Sequence, residues 1–217
     1  MARFPTDGIV YLVTQESLSA DRTTLDIVDA AIQGGVDVVQ LREKDRSARE
    51  RYQLGRRLRE RTVEADIPFI VNDRVDIALA VDADGVHLGD GDLPVDVARE
   101  QLGPDAIIGR SVSTPAAARE AEQTGANYLG VGSIFHTDSK DTEPDESAIG
   151  LEQLREIRDA TTIPIVGIGG ITSTNASDVV TTGANGVAVI SAITAADDPQ
   201  RATEALSTAV KNGDASE

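Results

Sequence analysis

"GGVDVVQLREKD" (34–45) leaves a helix-like segment through two glycines and enters a short apolar run that ends in amide and charge. The same order recurs in "DADGVHL" (82–88), "TGANYLGV" (124–131) and "TGANGVAV" (182–189): a turn, a small residue, Asp or Asn, then a strand. Recurrence of this kind marks an internal repeat of a strand–helix unit. Outward from it, eight apolar runs occur, at 8–14, 36–42, 68–73, 85–89, 106–112, 127–134, 164–170 and 186–191. Helix-like stretches lie around 24–34, 47–65, 75–82, 94–102, 115–124, 151–160 and 175–182, with a last one at 199–211. Short strands apolar on both faces and separated by helices predict a parallel sheet. Eight such units in 217 residues predict closure into a (β/α)8 TIM barrel, a single α/β domain over 1–217 with 212–217 as a frayed tail. An open doubly wound sheet is the alternative, but no G-x-G-x-x-G follows the first strand.

Composition narrows the function. Aromatic residues are only 3%, so the core must be Val, Ile, Leu and Ala. The chain has no Cys, which excludes disulfides, thiolate metal sites and thiol nucleophiles. No apolar run approaches a membrane span, and "MARFPTDG" lacks a leader pattern, so a soluble cytoplasmic protein is expected. With 37 acidic residues against 20 basic ones the net charge is −17, which argues against nucleic-acid and anionic-membrane partners. Small-molecule substrates are expected instead, and a homo-oligomer is left open. Such an acidic surface suits a protein that works in high salt, where self-repulsion is screened. That expectation fails if thermal stability is the same in dilute buffer and molar KCl. Only three lysines occur, Lys44, Lys140 and Lys211, so each invites a reason.

In a barrel of this kind the site forms at the C-terminal strand ends. Side-chain alternation puts Gln40, Arg42 and, if the extended backbone persists, Lys44 on one side, with Leu41 and Glu43 on the other. Other strand ends supply Thr14 and Gln15, Asn72 and Asp73, His87, and Ser111 and Ser113. Asp73 and one of Asp90 or Asp92 are metal candidates, and an all-oxygen pair suits Mg2+ with water and phosphate oxygens completing the shell. Spacing alone leaves Asp90 and Asp92 undecided. Arg42, Lys44 and Lys140 are the complementary cations, together describing a diphosphate site. Across the mouth, "VGIGGITSTNAS" (166–177) and the end of "VAVIS" (187–191) offer backbone N–H groups for a phosphate. Gly169 reads as a packing glycine and Gly170 as a phosphate contact. His87 reads as structural or as a support behind a site residue, and His136 as loop polarity.

These residues carry a resemblance. "QLREK" (40–44), "ND" (72–73), "GVHLGDGDLP" (85–94), "GRSVST" (109–114), "GVGSIFHTDSK" (130–140), "PIVGIGGI" (164–171) and "VAVIS" (187–191) together resemble the thiamine-phosphate synthase family over essentially the whole chain. The resemblance implies an enzyme, a transferase joining 4-amino-2-methyl-5-(diphosphomethyl)pyrimidine to a thiazole phosphate and releasing diphosphate. It implies pyrimidine-diphosphate contacts at Gln40, Arg42, Lys44, Asn72, Ser111 and Lys140, with Arg42, Lys44, Lys140 and Ser111 as catalytic groups. It implies Mg2+ at Asp73 and Asp92, and thiazole-phosphate contacts at Thr137, Asp138, Ser139, Gly170, Ile190 and Ser191. Ser139 stands where the family often has Thr, and Arg110 with Val112–Ser113 departs from its usual pattern around Ser111. The family reaction is taken to expel diphosphate first, leaving a pyrimidine methyl cation for the thiazole nitrogen. The loop "HTDSKDTEPDES" (136–147) is expected to act as a lid carrying Lys140. Two rivals share the scaffold: a thiazole tautomerase-like barrel and a non-catalytic phosphate-ligand binding protein.

Overall fold

The computed structural model describes residues 3–137 and 148–214. Within them the strands are β1 (Ile9–Val13), β2 (Val38–Leu41), β3 (Phe69–Asn72), β4 (Gly85–Leu88), β5 (Ile107–Val112), β6 (Tyr128–Gly132), β7 (Ile165–Ile168) and β8 (Gly186–Val189). Each pairs in parallel with its sequence neighbours, and β8 returns to β1, so the sheet closes in the order β1 to β8. The helices are α1 (Thr24–Gln33), α2 (Ala48–Glu64), α3 (Val75–Ala80), α4 (Val95–Leu102), α5 (Pro115–Gln123), α6 (Gly150–Asp159), α7 (Ala176–Val180), α8 (Ser191–Thr194) and α9 (Pro199–Asp214). The predicted (β/α)8 barrel is the observed one.

The sequence repeat has a physical purpose at the N-terminal end of this barrel. Asp37, Asp84, Asn127 and Asn185 each stand just before an even-numbered strand. Each side chain accepts the N–H of a residue near the start of the preceding odd strand: Val10 (2.8 Å), Phe69 (2.9 Å), Ile108 (2.7 Å) and Ile165 (2.9 Å), in that order. Each backbone N–H of the four returns a bond to the carbonyl of the same residue. A cation from an even-numbered helix or from α9 attends each latch. Arg59 reaches Asp84 at 2.6 Å, Arg99 reaches Asn127 at 2.7 Å and Arg158 reaches Asn185 at 3.2 Å. The Lys211 charge acts on Asp37. Two residues before each latch the chain turns through positive φ, at Gly35, Asp82, Gly125 and Gly183. The repeat therefore ends a helix, reverses the chain and staples two strands in one motion.

Alternation along the strands divides the apolar residues into two cores. Ile9, Tyr11, Val38, Ile70, Tyr128 and Val166 belong to a cluster inside the barrel, which Phe4 joins by stacking on Tyr128 at 3.9 Å. A larger cluster lies between sheet and helices and includes Leu12, Leu41, Leu58, Leu129 and Ile157. In α2 the residues facing it are Leu54, Gly55, Leu58 and Thr62, a helical stripe in an otherwise arginine-rich segment. Capping boxes start α1 at Thr23 with Asp26 and α2 at Ser47 with Glu50.

Three details differ from the sequence reading. The four-residue α8 and a 3-10 turn at Glu16–Leu18 are too short to leave a periodic signature. The last helix runs to Asp214, three residues into the stretch expected to be frayed. Among the described residues no helix is long and apolar enough to cross a membrane.

Candidate active site

A cavity of about 210 Å³ opens at the C-terminal end of the barrel. Gln40, Arg42, Lys44, Asn72, Asp73 and Ser111 all line it, drawn from β2, β3 and β5 and the loops that follow. Val166, Ile168, Ala188 and Ile190 form an apolar wall. The row inferred from alternation in "QLREK" is thus on one wall, although β2 itself stops at Leu41.

What extends the alternation past the strand is Glu43, which points the other way and is 6% exposed. Its two carboxylate oxygens accept the Glu16 N–H at 3.2 and 3.0 Å, and one also accepts the Thr24 hydroxyl at 3.0 Å. Glu16 in turn accepts the Thr24 N–H at 2.8 Å and the Arg46 guanidinium at 2.5 Å. Burial pushes the Glu16 carboxyl up, but the Thr24 donors and Arg46 outweigh it and hold the group below its ordinary value. This buried clasp fixes the turn after β1 against the loop after β2. The same turn steadies Arg42, whose N–H donates to Thr14 Oγ1 at 3.0 Å and whose guanidinium donates to Gln15 Oε1 at 3.1 Å.

Asp73 sits immediately beyond β3 with φ of +63°, a left-handed conformation uncommon outside glycine. Its carboxyl is pushed up to about 6, first by burial and then by its hydrogen bond to Asp92 and that residue's charge. Lys44 and Arg42 pull the other way. Asp92 does not cap α4, which starts from Pro94; it accepts the Gly89 N–H at 2.6 Å instead. Asp90 turns outward, its side chain 95% exposed and paired with Arg110 at 2.6 Å. Asp92, then, is the carboxylate that meets Asp73. Two carboxylates in contact need a shared proton or a cation between them, and an all-oxygen pair open to further ligands fits Mg2+. Among the described residues no group of three or more His, Cys, Asp or Glu side chains that could hold a metal ion occurs.

A second cavity, of about 420 Å³, adjoins the first through Ile168, Ala188 and Ile190. Gly170, Thr137, Ile190 and Ser191 line it, the last opening α8. Gly169 and Gly170 have φ of +103° and +64°. A Cβ on Gly169 would lie 2.6 Å from Ser133 Cβ, and one on Gly170 would lie 2.5 Å from the His136 carbonyl oxygen. Both glycines therefore have a packing reason, and at Gly170 it coexists with a place in the cavity wall. Asp138, Ser139 and Lys140 lie outside the described residues.

Comparison with known proteins gives the family. The family model described as thiamine monophosphate synthase matches residues 10–193. The chain belongs to the thiamine monophosphate synthase family. It is 65% identical over 202 residues to the thiamine-phosphate synthase of Natronomonas pharaonis, covering 93% of this chain and 94% of that one. It is 64% identical over 208 residues to the thiamine-phosphate synthase of Haloarcula marismortui, covering 95% and 99%. Its fold superposes on the thiamine phosphate pyrophosphorylase from Pyrococcus furiosus with a TM-score of 0.86 at 45% identity, covering 94% and 96%. As a member of the thiamine monophosphate synthase family the chain is an enzyme, a transferase that moves a pyrimidine moiety.

Residues to which sequence reasoning assigned no ligand-binding role also line these spaces. Tyr11 and His87 line the first cavity, and His136 the second. His87 joins Ser111 (2.9 Å) to Tyr128 (3.0 Å) inside the barrel. The available signal was parity: Tyr11 and Tyr128 occupy interior positions, and only three tyrosines occur in the chain. Ser113 is placed differently from Ser111: it is exposed, with its carbonyl taking the Gln153 amide at 2.5 Å.

Proposed function

We propose that the first cavity holds the diphosphate-bearing pyrimidine, 4-amino-2-methyl-5-(diphosphomethyl)pyrimidine, and that the second holds the phosphate of the thiazole. The observation that carries this reading is the placing of Arg42 and Lys44 beside the Asp73–Asp92 pair, next to the cavity walled by Gly170 and Ser191. A tautomerase has no diphosphate for such a cluster to hold. In the proposed reaction the bond from the pyrimidine methylene carbon to the diphosphate oxygen breaks, and the electron pair leaves on diphosphate. The thiazole nitrogen lone pair then closes on that carbon to form the new C–N bond. Arg42 and Lys44 hold the charge that grows on the leaving group, Arg42 by a two-pronged contact and Lys44 as a mobile point charge. Gln40, Asn72 and Ser111 orient the pyrimidine, and the apolar wall of Val166 and Ile168 keeps water from the reacting carbon.

Asp73 and Asp92 are the residues that would hold Mg2+. Bound there, the ion supplies further neutralisation of diphosphate oxygens. Gly170, Ile190 and Ser191 present backbone and hydroxyl groups to the thiazole phosphate, with Thr137 beside them. Lys140, Asp138 and Ser139 belong to the same proposal through the family resemblance alone. The enzyme is further proposed to work in a cytoplasm rich in salt, a reading supported by the net charge of −17. The test is diphosphate release measured with both substrates, with either alone, and with chelator. Release that needs both substrates and divalent metal is expected. Release without metal removes the Mg2+ assignment, and no release with both substrates leaves the binding-protein rival.

A further inference from the structure

A chain of hydrogen bonds crosses the floor of the first cavity and ends at its wall on both sides. Gln40 Nε2 donates to the Tyr11 hydroxyl at 2.7 Å. The Tyr11 and Tyr128 hydroxyls lie 2.8 Å apart. The Tyr128 hydroxyl is 3.0 Å from His87 Nδ1, and His87 Nε2 is 2.9 Å from Ser111 Oγ. Gln40 and Ser111, on strands β2 and β5, both line the cavity. Tyr11 and Tyr128 are 1% and 0% exposed, and burial pushes both phenols up, so each hydroxyl keeps its single proton.

Each hydroxyl and the neutral imidazole have one proton to give, which limits the order such a chain can adopt. If the Gln40 amide donates to Tyr11, the Tyr11 proton must go to Tyr128 and the Tyr128 proton to His87 Nδ1. A neutral imidazole then carries its proton on Nε2 and gives it to Ser111. That leaves the Ser111 proton for the cavity, while Gln40 faces it with Oε1. Turning the amide over reverses every link: Ser111 then accepts from the cavity and Gln40 donates to it. With His87 neutral, any other filling of the four links turns the proton of one fully buried phenol out of the chain, where burial makes an unmatched hydroxyl costly.

We propose that Tyr11, Tyr128 and His87 are positioning residues that order these protons, so that Gln40 and Ser111 always show the ligand opposite characters. One end gives a proton wherever the other gives a lone pair. This deepens, and rests on, the pyrimidine reading: an amino-substituted azine ring has a ring nitrogen that accepts and an exocyclic amine that donates. The fold makes room for the chain. A Cβ on Gly109 would lie 2.2 Å from Tyr128 Cζ and 2.5 Å from His87 Nδ1, and one on Gly130 would lie 2.9 Å from His87 Cε1. Phe4, stacked on Tyr128 with planes 5° apart, sets the angle of the phenol ring. In a buried setting a broken link leaves polar atoms unmatched, which favours the fully ordered states.

The test uses Tyr128→Phe, which keeps the ring and the Phe4 stack and removes the hydroxyl at the middle of the chain. In the free wild-type enzyme at neutral pH, with the Gln40 amide donating to Tyr11 as it stands, imidazole nitrogen NMR should show His87 as the single neutral Nε2–H tautomer. Tyr128→Phe should show a mixture of the two tautomers. In turnover, KM for the pyrimidine diphosphate should rise about five- to tenfold, the effect of a lost hydrogen bond or two, with KM for the thiazole phosphate unchanged. A doubly protonated His87 in the wild type, or a single neutral tautomer retained in Tyr128→Phe, overturns the ordering. An equal rise in both KM values, or none in either, overturns the positioning role. Where Tyr128→Phe does not fold, Tyr11→Phe cuts the same chain and takes the same measurements. Because the spectrum needs no substrate, it decides the ordering even if the wild type releases no diphosphate and the pyrimidine reading falls.

Discussion

The two ends of the barrel follow opposite plans. At the N-terminal end one device occurs four times: Asp37, Asp84, Asn127 and Asn185 accept strand N–H groups at 2.7–2.9 Å, each attended by a cation. At the C-terminal end the polar strand ends differ from one another, with Gln40 and Arg42, Asn72 and Asp73, His87, Ser111 and the Gly169–Gly170 turn. Closing a sheet is the same problem at every second strand, so one solution repeats. Holding an asymmetric pair of substrates is a different problem at each point of the rim, so the repeat is abandoned there. The contrast predicts that substitutions at one end change stability and those at the other change rate.

The largest expected effect is at the rim. Asp73→Asn should lower diphosphate release by about 10²–10³-fold, the scale of losing one preorganised charge contact. Its melting temperature should match or exceed that of the wild type without metal, because the variant removes a carboxylate that Asp92 and burial destabilise. Steady-state release together with a thermal melt reads both. A variant that loses stability while keeping turnover would place Asp73 with the structural end and erase the contrast.

Asp84→Ala attacks the other end. The Asp84 side chain is 2% exposed and serves the Phe69 N–H as well as Arg59. Removing it strands a partly buried guanidinium and a buried N–H, at a cost of about 3 kcal/mol in unfolding free energy. Denaturant titration measures that loss, while kcat/KM per folded molecule should stay at the wild-type value. A large fall in kcat/KM of the folded fraction would mean that the latch also shapes the rim.

How much of this was legible depends on the range of the interaction. The repeat showed Asp or Asn before strands at 37, 84, 127 and 185, because its spacing is local. What those side chains grip was not, since each partner lies 15–27 residues earlier. Alternation placed Gln40, Arg42 and Lys44 on one wall, but the buried clasp of Glu43 on Glu16 and Thr24 that keeps them there joins two loops. Asp90 and Asp92 stand two residues apart, and only the turn geometry sends one to Arg110 and the other to Asp73. Tyr11 and Tyr128 escaped because attention to charge at strand ends misses neutral groups in mid-strand, where a tyrosine looks like core. Their hydroxyls meet only when the barrel closes, 117 residues apart in sequence.

The smallest effect is the sharpest test of the repeat itself. Two latches use Asp and two use Asn, so Asp37→Asn should be accepted as a member of its own series. Burial pushes the Asp37 carboxyl above its ordinary value, with the Val10 N–H and Lys211 only partly offsetting this. A raised folded-state pKa means that the folded protein binds the proton more tightly than the unfolded chain does. The group therefore favours folding most in acid and loses that contribution as pH rises through its folded value. Asparagine imitates the protonated form, still accepts the Val10 N–H, and cannot ionise. Between acid and neutral pH the wild type should thus lose slightly more stability than Asp37→Asn, with a difference at neutral pH below about 1 kcal/mol. Parallel denaturant titrations across that range decide it: a variant less stable than the wild type by several kcal/mol at neutral pH would show that Asp37 needs its charge for Lys211, and that the four latches are alike in shape but not in chemistry.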